Sequence, residues 1–71
     1  MVKLGKTYRT TSGRLLRTFV FVWQVHPDSG ETIHCVQMME DVPGQALPKQ
    51  HIQPTELVNQ LIAQKIMVLQ V

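Results

Sequence analysis

Seventy-one residues with a formal net charge of +2 and one cysteine suffice for a single small domain, and they exclude an internal disulfide. Three scattered histidines beside that one thiol make no zinc signature, and no apolar run reaches the roughly 18 residues that a membrane helix needs. A chain this short buries only about 60% of the surface its unfolded form exposes, so association with another chain is the expected supplement to a marginal core. The opening residues Met1-Val2-Lys3-Leu4-Gly5-Lys6 lack the apolar stretch of a signal peptide. Together with the lone thiol they suit a soluble, cytoplasmic protein without a membrane partner.

The charge is unevenly spread. Lys3, Lys6, Arg9, Arg14 and Arg17 place five of the seven cations in the first seventeen residues with no acid among them, while Asp28, Glu31, Glu40, Asp41 and Glu56 all follow. That is a basic field on a nearly neutral chain. These five residues are the candidates for binding an anionic partner, a nucleic acid or an acidic protein. Tyr8 and Trp23 are the aromatic platforms on which bases would stack. The plainer reading is a solvated rim that keeps a small protein soluble.

In chain order, Gly5 to Thr10 reads as a first short strand in which Tyr8 is the apolar member. Thr11-Ser12-Gly13 is a turn, Gly13 being free to adopt a left-handed conformation. Arg14 to Val25 is dense in β-branched and aromatic residues and forms a long second strand. His26-Pro27-Asp28-Ser29-Gly30 reverses the chain, and Thr32 to Met39 returns as a third strand. This hairpin is the feature around which the rest is arranged.

Strand side chains alternate between faces, which puts Phe19, Phe21 and Trp23 on one side of the second strand and Val20 and Val22 on the other. Both sides are apolar, so both need a cover. The smaller valine face suits packing beneath a helix, and the aromatic face suits an oligomer interface. The register of the hairpin stays open: either Ile33 and Cys35 or His34 and Val36 form the core pair.

Glu40-Asp41-Val42-Pro43-Gly44-Gln45 ends the third strand in a Pro-Gly turn, and Ala46 to Gln53 reads as a short irregular strand limited by Pro48. Pro54-Thr55-Glu56 starts a helix on which Leu57, Val58, Leu61 and Ile62 recur at helical spacing. Ile66 to Val71 contains no breaker. Its β-branched content favours a last strand over a continued helix. Nothing divides the chain, so residues 1–71 read as one β-rich (α+β) domain.

The Gly5-Lys6-x-Tyr8 strand, the Gly13 turn, the long hairpin, Pro43-Gly44 and Ile52-x-Pro54 resemble the small SH3-like barrels. In turn spacing they are most similar to the plasmid-borne (type II) dihydrofolate reductases. The resemblance implies a partly open barrel of four or five antiparallel strands with one C-terminal helix. Those reductases carry a Val-Gln-Ile-Tyr motif in a central pore built by several copies. Here Gln50-His51-Ile52-Gln53 stands at that place, without the tyrosine.

No other side chains ask for chemistry. His34 and Cys35 are strand neighbours and point to opposite faces, so they form no nucleophile pair. Glu40 and Asp41 read as a turn-side charged pair, His26 as a turn residue, and His51 as a member of the irregular segment beside Lys49. Met38, Met39 and Met67 fill a core or interface. The expectation is a non-catalytic binding module without metal or cofactor. It self-associates, most simply as a dimer, through Phe19, Phe21 and Trp23. The alternatives are a nucleic-acid-binding regulator and an oligomeric pore-type reductase.

Overall fold

The β-branched and aromatic run becomes the longest strand. In the computed structural model, which describes residues 1–70, the strands are β1 (Thr7–Thr10), β2 (Leu15–Val25), β3 (Thr32–Glu40), β4 (Lys49–Pro54) and β5 (Met67–Leu69). One helix, α1, spans Thr55–Ala63 between β4 and β5. The strands form a single open antiparallel sheet in the order β4-β3-β2-β1-β5. The C-terminal segment is thus a strand, as its composition favours; Val71, part of that expectation, lies outside the described residues.

Local turn chemistry makes the reversals. Gly13 adopts φ +86° and its amide donates to the Thr10 carbonyl at 2.9 Å, closing the β1–β2 turn. In the β2–β3 turn the Gly30 amide donates to the His26 carbonyl at 3.0 Å, and the imidazole Nδ1 of His26 accepts from the Asp28 amide at 3.2 Å. His26 is therefore the turn residue that its place before Pro27 suggests.

The decisive irregularity sits in the middle of β2. Thr18 pairs with Met38 but Val20 pairs with Gln37, so Phe19 is the extra residue of a β-bulge. The bulge exchanges the odd and even positions. Leu16 and Thr18 share a face with Phe21 and Trp23, opposite Glu40, Met38, Val36 and His34 in turn. Val20 and Val22 share the other face with Gln37 and Cys35. α1 packs on the first of these faces, so the expectation that the valines lie under the helix is corrected. Leu16, Val36 and Met38 lie there with Val2, Tyr8, Val58 and Met67, and Leu61 and Ile62 pack against them. The open register resolves the same way, with His34 and Val36 on the helix face and Ile33 and Cys35 behind it.

Thr18, fully buried, fastens the N-terminal loop to this core. Its hydroxyl donates to the Lys3 carbonyl, its amide donates to the Lys6 carbonyl at 2.9 Å, and the Lys3 amide donates to the Tyr8 hydroxyl at 2.9 Å. The Val2 amide reaches the Asn59 side chain of α1 at 2.7 Å.

α1 begins without a side-chain cap, because Pro54 stands at the N-cap; Glu56 in its first turn complements the positive end of the helix dipole. It ends in a Schellman motif: the Lys65 amide donates to Ile62 and the Ile66 amide to Leu61. Lys65 holds φ +60°, the position where glycine is usual. Val58 is completely buried, whereas Leu57, expected on the apolar side, is 41% exposed.

Candidate functional site

Cross-strand rows define both surfaces of the sheet. On the helix face, beyond the reach of α1, the hairpin presents Phe21 and Trp23 on either side of His34. The imidazole centroid lies 4.9 Å from each ring, tilted against Phe21 and edge-on to Trp23. Nδ1 of His34 is 2.8 Å from the Thr55 hydroxyl at the start of α1, which ties the aromatic cluster to the helix. A depression of about 440 Å³ opens beside it, lined by Thr32, His34, Pro54, Thr55 and Asn59 among others. The aromatic cluster is not enclosed. Phe21 is 36% exposed and Trp23 68%. Phe19, expected on the same face, is 41% exposed but is the bulged residue after Thr18 and falls outside their cross-strand rows, so the expectation of one face carrying all three rings is corrected.

At the other end of the helix face, Glu40 is buried and occupied. Its carboxylate accepts a bidentate pair from Arg14, Nε at 2.8 Å and Nη2 at 2.6 Å, and a third bond from His51 Nε2 at 2.9 Å. Arg14 Nη2 also lies 3.4 Å from that imidazole nitrogen. A carboxylate only accepts, so Nε2 carries the proton and donates to Glu40, and Arg14 serves the carboxylate alone. The Arg14 fork first, and the His51 bond second, hold the Glu40 carboxyl down to about 2 against the opposing effect of burial. The hydrogen bond to Glu40 raises the Arg14 guanidinium in return. Arg14 and His51 also border a cleft of about 290 Å³ between α1 and the sheet. Leu16, Met38, Val58 and Met67 contribute its apolar lining.

The five cations of the N-terminal stretch are therefore distributed, not gathered. Lys3 and Lys6 are exposed on the loop that Thr18 fastens. Arg14 is held by Glu40. Arg9 and Arg17 stand together on the face away from the helix, exposed and, among the described residues, outside any ion pair. Tyr8 is 2% exposed and is no stacking platform; Trp23 alone of the two is accessible.

Gln50, His51, Ile52 and Gln53 alternate between the faces. His51 and Gln53 line the cleft, whereas Gln50 and Ile52 lie opposite Met39 and Gln37 on the far side. Cys35 is buried behind the core, its thiol 4.0 Å from the Gln24 side-chain oxygen. Among the described residues no group of three His, Cys, Asp or Glu side chains is placed to hold a metal ion. Among them also, no helix is long and apolar enough to cross a membrane.

Sequence reasoning missed the Arg14–Glu40–His51 network and the setting of His34. Arg14 and Glu40 are 26 residues apart, and no local pattern joins them. His34 carried a weak signal, since it falls opposite Trp23 in any hairpin of this register. No protein-family model, curated protein or solved structure matches the chain significantly.

Proposed function

We propose that this protein is a non-catalytic binding module that self-associates through the aromatic end of its central hairpin and offers basic surface to an anionic partner. The sheet order β4-β3-β2-β1-β5, with a long bulged strand in the middle and a helix between β4 and β5, supports reading it as an SH3-like, partly open barrel. The observation that carries the proposal is the exposure of Phe21 and Trp23, at 36% and 68%, on either side of His34 and outside the core cluster. Clustered aromatics left in water mark interaction surfaces, where they supply large apolar area at low entropic cost. The cluster is also positioned: cross-strand pairing fixes Trp23 against His34, and Thr55 fixes His34. A surface held in place before binding loses less entropy on association.

Sedimentation velocity over a range of concentrations tests this. The parent is expected to shift toward a dimer as concentration rises. Trp23→Ala, which removes the more exposed of the two rings, is expected to remain monomeric with its circular dichroism unchanged. A parent that stays monomeric throughout refutes self-association.

A further inference from the structure

α1 packs on one face of the sheet only; on the other, Cys35 is buried among its strand neighbours, and the more open part falls into cross-strand rows. Gln50, Met39, Arg17 and Thr7 form one; Leu15, Arg9 and Val68 a second; Ile52, Gln37 and Val20 a third. Each arginine thus has aliphatic neighbours: Leu15 and Val68, 45% and 52% exposed, flank Arg9, and Met39 adjoins Arg17. The two arginines are diagonal neighbours, a spacing of about 7–8 Å on a sheet. No carboxylate occurs among the strand residues of this face.

From this juxtaposition we propose that the face docks a protein segment carrying acidic and aliphatic side chains together. This deepens the anionic-partner reading and rests on it. Charge complementarity selects the occupant. Two copies set face to face would bring arginines together without a counter-charge, which disfavours a second copy. Phosphates would satisfy Arg9 and Arg17, but bases stack on aromatic rings, and those rows are mainly aliphatic, with Leu15, Val20, Met39, Ile52 and Val68 against the single ring of Phe19 at the bulge beside Val20. Trp23, the accessible platform, lies on the opposite face. Carboxylates meeting the guanidiniums match the two arginine rows, and aliphatic groups match Leu15, Met39 and Val68 there and Ile52 and Val20 in the third.

Fluorescence polarisation on the whole chain tests the assignment with three labelled probes: a short peptide alternating Glu with Leu and Val, its Lys counterpart, and a single-stranded oligonucleotide. The glutamate peptide is expected to bind, the lysine peptide not, and the oligonucleotide more weakly. The double variant Arg9→Glu, Arg17→Glu should lose about tenfold toward the glutamate peptide, the worth of two surface ion pairs, and gain the lysine peptide. Ile52→Ser should weaken the peptide and leave the oligonucleotide unchanged, and Trp23→Ala, on the other face, should alter neither. Amide chemical shifts in the parent should move in β1, β2 and β3; changes confined to α1 and the cleft would overturn the placement, whatever the variants do. An oligonucleotide bound as tightly as the peptide and indifferent to Ile52→Ser overturns the protein partner while an anionic partner survives. No probe bound at low salt overturns both.

Discussion

Glu40 joins three separated pieces of chain. It ends β3, receives Arg14 from the β1–β2 turn, and receives His51 from β4. Its carboxyl is about 2 in the fold against an unperturbed 4.5, so protons bind the unfolded chain more readily between those values. Stability therefore rises with pH across that interval: the contribution is complete above about 4.5 and lost as pH falls toward 2. Urea titrations through this range should show the parent midpoint falling with acid. Glu40→Gln should start from a lower midpoint near neutrality and flatten that fall, because the amide cannot titrate. An equally steep acid dependence in the variant would show that other carboxyls set it. None of this was legible in the sequence, where Glu40 looked like a turn residue beside Asp41; the partners are distant in the chain, and only folding brings them to one carboxylate.

Elements were legible where their signals are local. The Gly13 turn, the His26 to Gly30 reversal and the β-branched run of β2 each depend on neighbouring residues, and each forms as its residues indicate. The bulge at Phe19 depends on counting residues between two strands, which no single strand records, and it turned the valines away from the helix. The end of α1 was hidden differently. A glycine after Ala63-Gln64 would have marked a stop, but Lys65 holds the left-handed position instead, at φ +60°. A side chain there costs about 1–2 kcal/mol that glycine avoids, less the extra freedom glycine has when unfolded. Lys65→Gly should accordingly stabilise the fold by about 0.5–1 kcal/mol, seen as a higher urea midpoint at unchanged slope. A lower midpoint would mean that the lysine side chain contributes more than its backbone costs.

At the scale of the molecule, the core is small for what the sheet exposes. Seven apolar side chains form the buried cluster, on one half of one face, while Phe19, Val20, Phe21, Trp23, Val25 and Ile52 remain at least 36% exposed. The sequence showed that both sides of β2 want cover; it could not show which side the chain itself covers, since the bulge decides that. With the helix occupying the Leu16 and Met38 end, the Phe21 and Trp23 end stays open, and under the proposed self-association a two-fold dimer is the simplest way to bury it. Trp23 is the only tryptophan, so its emission reads this surface directly. On dilution the emission of the parent should move to longer wavelength as the indole returns to water, and the thermal midpoint should fall in step, because dissociation and unfolding are then linked by mass action. Phe21→Asp places a charge beside His34 and should fix the emission at the dilute value at every concentration. If emission and midpoint in the parent are both independent of concentration, the aromatic end is not where copies meet.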